Sequence, residues 1–254
     1  METIDRHRQE ILRNAEAWRR KPALRAVYKT FHQAIAAQLA TLPLPTVELG
    51  SGVADIQRVI PDCLRTDIFP NPWIDQVENA YALSFAEASL ANVILFDVFH
   101  HLRYPGTALQ EFWRVLAPGG RVILFEPCVS LLGLLVYGAL HPEPLALTQP
   151  TGWAAPPDWT AQQIDYYAAQ GNASRLFLGA NPRRDWQGFR LVTTRRYAAL
   201  SYVASGGYSK PQLYPDRWMP LMAAVDRLCD RLPWLFATRL LVVLEKEGGG
   251  SSEF

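Results

Sequence analysis

The chain has 254 residues, 49% hydrophobic and 19% charged, which suits one α/β domain with an elaboration and excludes a disordered protein. Its net charge of +1 gives no electrostatic basis for nucleic-acid binding. The three cysteines have neither CxxC spacing nor neighbouring histidines, so no metal site is predicted. Because the N-terminus is charged and resembles no secretory signal, we expect a cytoplasmic location.

The first forty residues have helical periodicity. Apolar side chains from Ile11 to Leu39 recur mostly at intervals of three or four, which predicts two helices broken near Pro22. We assign residues 1–45 to an N-terminal helical cap segment.

From Thr46 to Pro127, short apolar runs alternate with turns and helical patterns. Strands are predicted at TVELG, CLRTDI, VENAYAL, NVILFDVF and RVILFEP, with an amphipathic helix at TALQEFWRVL. Runs without polar alternation are typical of strands buried on both faces of a parallel sheet. Residues 46–127 are therefore predicted to form an α/β core.

The second half is less regular. Residues 128–187 are predicted to be a cap insertion with a helix near 161–170, and residues 188–247 are predicted to complete the sheet. Strands are expected at FRLVTTRRYAALSYVAS and RLLVVLEK, separated by a helix near 217–231, and residues 248–254 form a tail. The apolar run 129–140 is too short to span a bilayer, which leaves a buried cap helix or a surface that meets lipid.

A glycine-rich loop follows the first predicted strand. Glu48-Leu-Gly50-Ser51-Gly52 is expected to turn sharply and to open a helix. In a GxGxxG dinucleotide fingerprint counted from Gly50, the third glycine falls on Asp55, whose charge would oppose a pyrophosphate. S-adenosylmethionine has no phosphate, and its methionine part carries an ammonium group. The acidic Glu48 at the end of the strand therefore suits this cofactor better than a dinucleotide.

Five ordered motifs resemble the class I S-adenosylmethionine-dependent methyltransferases, particularly those that methylate small molecules. The motifs, which span residues 46–127, are Glu48-Leu-Gly-Ser-Gly, Arg65-Thr-Asp-Ile-Phe, Asn79-Ala-Tyr-Ala-Leu-Ser-Phe, Phe96-Asp-Val-Phe-His-His-Leu and Glu111-Phe-Trp-Arg-Val-Leu-Ala-Pro-Gly-Gly. The resemblance implies a Rossmann-like three-layer α/β fold with a mostly parallel seven-stranded sheet and an α-helical cap. Three positions depart from the family pattern, at Ala54, Asn79 and Ser84.

The resemblance also implies a set of cofactor-binding residues. These are Glu48, Gly50, Ser51, Gly52, Asp67, Ile68, Asn79, Ala80, Asp97 and Val98. Three of these residues have other interpretations. Glu48 can instead be a helix-facing or turn-capping carboxylate. Asn79 is also a common turn former, and Asp97 lies in an apolar strand where it can bind a backbone N–H instead.

Three residues near the same sheet edge are candidate general bases. His100 and His101 follow the fourth predicted strand, and Glu126 ends the fifth. The alternative for the two histidines is that they shape the loop over the cofactor, whatever the acceptor.

We therefore expect an S-adenosylmethionine-dependent methyltransferase that acts on a small hydrophobic or aromatic acceptor, with no nucleic-acid partner and no transmembrane segment. Aromatic residues of the second half would pack the cap and line the acceptor pocket. Peripheral membrane contact stays open, and the sequence makes no prediction of oligomeric state. The alternatives are a cofactor-binding protein of this fold that transfers no methyl group, and a nicotinamide-dependent oxidoreductase, which Asp55 disfavours.

Overall fold

A computed structural model describes residues 2–141, 143–149, 152–163, 167–179, 186 and 188–248, with side chains from residue 8 onward. Its α-helices are α1 (Glu2–Arg20), α2 (Pro22–Ala36), α3 (Pro105–Val115), α4 (Leu131–Leu135), α5 (Asn172–Leu178), α6 (Leu200–Ser205), α7 (Met219–Cys229) and α8 (Pro233–Phe236). Its strands are β1 (Thr46–Leu49), β2 (Cys63–Asp67), β3 (Gln76–Val77), β4 (Leu90–Phe96), β5 (Leu116–Pro127), β6 (Phe189–Tyr197) and β7 (Arg239–Lys246).

The seven strands form one sheet in the order β3-β2-β1-β4-β5-β7-β6. Strands β1 to β5 pair in parallel, whereas β7 lies antiparallel between β5 and β6. The predicted α/β fold with a mostly parallel seven-stranded sheet is confirmed. The strand order reverses between β1 and β4, and open sheets bind ligands beyond the carboxyl ends of the strands at such a point.

Two hydrophobic layers cover the sheet, as the alternation of side chains along β4 requires. Ile94 and Phe96 pack with α2, while Val93 and Leu95 pack with α3 on the opposite face. The strand itself is fully buried. This explains why it appears in the sequence as a continuous apolar run.

Helix α2 has the apolar face that its sequence predicts. The buried residues repeat at three and four and are Ala23, Leu24, Val27, Tyr28, Phe31, His32 and Ile35. Pro22 occupies the first turn, where a missing N–H costs nothing, so the break between α1 and α2 is confirmed.

The expectation that the glycine loop opens a helix is wrong. Among residues 50–62, all of which are described, the only helical element is a single 3₁₀ turn at Ile56–Arg58. The connection to β2 is short and contains Pro61, and Ile56 and Ile60 instead pack beneath α2. The N-terminal helix α2 therefore covers the face of the sheet on which a crossover helix was expected.

Two predictions in the second half need correction. The described part of 161–170 contains no helix, because the N–H groups of Ala169 and Gln170 donate to the carbonyls of His100 and Pro144. The segment Leu200–Ser205 is a helix instead of a strand, since the backbone at Ala199 turns to φ +49° and ends β6. In the first half, the short third strand predicted within VENAYAL is found as β3 at Gln76–Val77, and an isolated bridge joins Asn79 and Ala82.

The apolar run after β5 is not a buried cap helix. Within α4 and the π-helical turn Val136–Leu140, only Gly133 and Tyr137 are buried. Leu131, Leu135 and Leu140 are exposed, so contact with lipid stays a prediction. No helix among the described residues is both long and apolar enough to cross a membrane.

The helix predicted near 217–231 is confirmed as α7, and the last predicted strand is confirmed as β7. The division into core, cap insertion and tail stays a prediction. Tyr166 and residues 249–254 lie outside the described residues.

Candidate functional site at the carboxyl edge of the sheet

A cavity of about 1070 Å³ opens where the strand order reverses. Its wall includes the loops that follow β1, β2, β3 and β4, parts of α1 and α2, the segment after α4, and α6 with the residues that follow it. The wall includes all ten predicted cofactor-binding residues, which are Glu48, Gly50, Ser51, Gly52, Asp67, Ile68, Asn79, Ala80, Asp97 and Val98. The sequence motifs therefore meet at one place, although 50 positions separate the first residue from the last.

The loop after β1 is held in a tight conformation beside β4. Gly50 and Gly52 have φ values of +68° and +54°, which side chains rarely adopt. A Cβ at Gly50 would overlap the side chain of Val98. The Ser51 N–H donates to the carbonyl of Thr66 at 2.8 Å and its Oγ accepts from the Thr66 N–H at 3.2 Å, which ties the loop to β2.

Glu48 is a buried carboxyl group on the cavity wall. The residue is 2% exposed, and its Oε2 has no hydrogen-bond partner among the described residues. Burial raises the pKa of Glu48 to about 7. A buried oxygen without a donor costs free energy, so this position fits a ligand that brings a cationic hydrogen-bond donor.

Asp67 and Asn79 both lie on the cavity wall, but their side chains make different hydrogen bonds. Asp67 accepts from the N–H of Ile68 at 2.7 Å through Oδ1. The Asn79 side chain accepts from the Tyr81 N–H at 3.0 Å and donates to the Ala161 carbonyl at 2.7 Å. Asn79 thus organises the loop, as its interpretation as a turn former predicts.

The Glu111–Arg114 pair of the last motif holds the adjoining segment in place. Glu111 accepts from the Leu83 N–H at 2.7 Å, and Arg114 donates to the carbonyls of Leu83 and Phe85 at 3.0 and 2.9 Å. Glu78, which the sequence reasoning missed, lines the cavity and accepts from the Ser84 N–H at 2.9 Å. The motif therefore serves the site by positioning the loop after β3.

Beyond these loops the cavity wall is aromatic. Tyr28, Tyr137, Tyr202 and Tyr208 line it together with the buried Arg239, whose guanidinium lies 4.3 Å from the ring centre of Tyr202. Arg239 pairs with the carboxylate of Asp97, a residue whose backbone has a φ of +56°. No sequence motif marks Tyr28, Tyr137 or Arg239 as a site residue, because each lies within an apolar helix or strand pattern.

Glu126 lies beneath the cavity and not on its wall, so the structure does not place it as a base in contact with an acceptor. It is fully buried, and it accepts from the N–H groups of Val98 and Phe99 at 2.8 and 2.7 Å. Its Oε2 lies 2.6 Å from Nδ1 of His100. All of these contacts shape the loop after β4.

The two histidines are in opposite electrostatic environments. Burial lowers the pKa of His100, but the Glu126 and Glu143 carboxylates outweigh that effect and raise it to about 10. Burial and the neighbouring His100 lower the pKa of His101 to about 4. Nδ1 of His101 lies 2.8 Å from the Tyr167 carbonyl, so a neutral ring donates there and presents Nε2 to the cavity side.

Part of the chain matches a known family model. Residues 54–124 match the family model of the methyltransferase domain. That segment is therefore similar to a methyltransferase domain. The matched segment runs from the loop after β1 into β5 and contains β2, β3, β4 and α3.

Solved methyltransferase structures resemble the chain at low identity. A geranyl diphosphate C-methyltransferase from Streptomyces coelicolor A3(2) is 10% identical, with a TM-score of 0.49, and the alignment covers 86% of this chain and 77% of that one. An S-adenosylmethionine-dependent methyltransferase from Mesorhizobium loti is 15% identical, with a TM-score of 0.44, over 84% and 96% of the two chains. One from Methanosarcina mazei is 15% identical, with a TM-score of 0.45, over 85% and 98%. No curated protein matches the chain significantly in sequence.

Proposed function

We propose that this protein transfers the methyl group of S-adenosylmethionine to a small apolar or aromatic acceptor. The observation that carries the proposal is Glu48, a buried carboxyl group with an unpartnered oxygen at the carboxyl end of β1, beside the glycine loop. The ammonium of the methionine moiety supplies the cationic donor that this oxygen lacks.

The loop geometry supports this cofactor over a dinucleotide. A pyrophosphate is normally held at the N-terminus of the helix that follows such a loop. Residues 50–62 provide only a 3₁₀ turn, and Asp55 there carries a negative charge. A cofactor without phosphate does not need a helix N-terminus at this loop and is not repelled by Asp55.

Further cavity residues would hold the rest of the cofactor. Asp67 ends β2 and suits the ribose hydroxyls, the position that an acidic residue takes in related nucleotide folds. By the resemblance, Asn79 and Ala80 would lie beside the adenine. When bound, the cofactor supplies a methyl group on a sulfonium, which is already an activated leaving group. The protein then contributes by holding the acceptor in line and excluding water.

The aromatic half of the cavity supports an apolar or aromatic acceptor. The hydroxyl groups of Tyr28, Tyr202 and Tyr208 stay neutral because burial raises their pKa values. Leu140 and Leu213 line the cavity and are also largely exposed, so part of the opening is apolar. Such walls bury a ligand mainly by removing apolar surface from water.

Calorimetric titration with S-adenosylhomocysteine tests the cofactor, with the Glu48→Gln variant as the perturbation. Glu87→Gln is the matched control, since Glu87 is exposed and does not line the cavity. We expect the wild type and the control to bind alike and Glu48→Gln to bind at least tenfold more weakly. Absence of binding by the wild type would refute the proposal.

Radiolabelled methyl transfer to a panel of phenols, hydrophobic amines and apolar carboxylic acids then tests the reaction. Transfer to at least one member is expected. Binding of the cofactor without transfer to any acceptor, including those in a cell extract, would favour the alternative of a non-methylating protein.

A further inference from the structure

A second cluster of chemistry-bearing side chains lies on the cavity wall, away from Glu48. His100 Nε2 is 3.6 Å from Glu143 Oε2, and His101 Nε2 is 3.9 Å from Glu143 Oε1. One ligand atom from each of the three residues lies within 4.8 Å of the others. Two imidazoles and one carboxylate thus converge on one point.

The opposite edges of both imidazole rings are anchored. Nδ1 of His100 faces the Glu126 carboxylate at 2.6 Å, and Nδ1 of His101 faces the Tyr167 carbonyl at 2.8 Å. Metal-ligating histidines have this arrangement, in which an acceptor behind the ring sets the tautomer and directs the other nitrogen to the ion. A carboxylate and a backbone carbonyl are both usual acceptors in that role.

A buried amide beside the cluster has an unmet hydrogen-bonding group. The Gln170 amide nitrogen donates to Glu143 and lies 3.2 Å from His100 Nε2, while its Oε1 is buried with no partner among the described residues. The residue is 3% exposed, so solvent does not compensate for this loss. Water bound to an ion would supply the missing donor.

We infer that His100, His101 and Glu143 form a binding site for a divalent transition-metal cation. Ligands at 2.0–2.1 Å around a tetrahedral ion lie about 3.3 Å apart. The two histidine–carboxylate separations here, 3.6 and 3.9 Å, are larger, and one ligand atom from each of the three residues lies within 4.8 Å of the others. Imidazole nitrogens favour Zn²⁺, Co²⁺ or Fe²⁺ over Mg²⁺ and Ca²⁺. Three protein ligands leave positions open, which is typical of catalytic metal sites and not of closed structural ones.

This inference goes beyond methyl transfer and does not depend on it. The three residues lie in the cavity that also contains the aromatic wall, so an ion there would bind an oxygen or nitrogen of a molecule occupying that wall. Without an ion, the same side chains form a hydrogen-bonded network in which a protonated His100 bridges Glu126 and Glu143. A measurement of metal binding therefore distinguishes an ion site from a hydrogen-bonded network.

The test uses full-length protein treated with a chelator, exchanged into metal-free buffer at pH 8, and titrated with Co²⁺. We expect one Co²⁺ per chain, detected by its visible absorption and by calorimetry, and no displacement of Co²⁺ by an equal concentration of Mg²⁺. Glu143→Gln and His101→Gln should each weaken Co²⁺ binding at least tenfold, whereas Glu87→Gln should match the wild type. No binding by the wild type, or unchanged affinity in both cluster variants, would overturn the inference.

A measurement on the wild type removes any dependence on the folding of the variants. Zn²⁺ should shift the imidazole ¹⁵N resonances of His100 and His101 and leave those of His32 unchanged, because His32 lies on α2 outside the cluster. Shifts confined to other residues would contradict the site. Titration of the same metal-free sample with S-adenosylhomocysteine keeps a failure of the metal site distinct from a failure of the proposed function.

Discussion

The guanidinium of Arg239, at the first residue of β7, pairs with the carboxylate of Asp97 immediately after β4. The two partners differ in solvent access, since the Arg239 side chain is 2% exposed and that of Asp97 is 29% exposed. Nε of Arg239 has no hydrogen-bond partner among the described residues. The cation therefore depends on Asp97 more than Asp97 depends on the cation.

This asymmetry predicts unequal effects of the two single substitutions. Asp97→Asn keeps the shape and tolerates the positive φ, but it leaves a buried cation unpaired and should lower the free energy of unfolding by about 3–5 kcal/mol. Arg239→Met leaves a carboxylate that water reaches, and should cost less than about 2 kcal/mol. Urea unfolding followed by circular dichroism measures both values. Equal losses would contradict the assigned asymmetry.

The pKa of Glu48 predicts how cofactor affinity changes with pH. Burial raises this pKa to about 7, so below pH 7 the ligand-free protein must release a proton before the carboxylate can pair with an ammonium. The dissociation constant for S-adenosylhomocysteine should rise about tenfold per unit as the pH falls from 7 towards 5.5. In Glu48→Gln the constant should be large and nearly independent of pH. A constant wild-type affinity across this range would argue against Glu48 as the ammonium partner.

The same group predicts a contribution to stability in the ligand-free protein. Because the pKa of Glu48 is higher in the folded state than its ordinary value of 4.5, the folded state retains the proton more strongly. Its contribution to stability is therefore full below pH 4.5 and decreases as the pH rises to about 7. Thermal melts of the wild type and Glu48→Gln across this range measure the difference, which should favour the variant progressively at higher pH. A difference that shrinks with rising pH would contradict the sign.

Gly50→Ala is expected to damage both folding and the cofactor loop. The substitution places a Cβ against the stiff side chain of Val98 at a residue with φ +68°, and should cost about 2–4 kcal/mol. Gly119→Ala is the matched control, since Gly119 has φ +78° but no atom near its Cβ, so about 1 kcal/mol is expected from backbone strain alone. Urea unfolding measures both. Similar costs at the two glycines would show that contact with Val98 is unimportant.

Glu126→Gln is expected to loosen the loop after β4. The carboxylate accepts from the N–H groups of Val98 and Phe99, and an amide nitrogen in its place would oppose one of these donors. Loss of one or two charge-assisted hydrogen bonds should cost about 2–4 kcal/mol. Hydrogen exchange should accelerate at the amides of Val98 and Phe99, while the amides of β7 keep the protection that matches global stability. Unchanged exchange at Val98 and Phe99 would contradict this role.

Local patterns predicted most of the sheet and the N-terminal helices. The continuous apolar run from Leu90 to Phe96 follows from burial of β4 on both faces. The apolar spacing from Leu24 to Ile35 follows from burial of α2 on one face. The prediction failed where backbone groups found partners outside their own segment. Ala169 and Gln170 donate to distant carbonyls, so a sequence with helical periodicity does not form a helix there.

The sequence by itself determined the fold class and the glycine loop, because periodicity and turn chemistry are local properties. Its resemblance to a methyltransferase family supplied the ten predicted residues that reach the cavity. Only the tertiary structure decided what those residues do. It places Glu126 beneath the loop after β4, pairs Asp97 with Arg239, which lies 142 positions away, and brings Glu143 to His100 and His101. These relationships depend on burial and on side chains from distant segments meeting at one sheet edge, which no local pattern encodes.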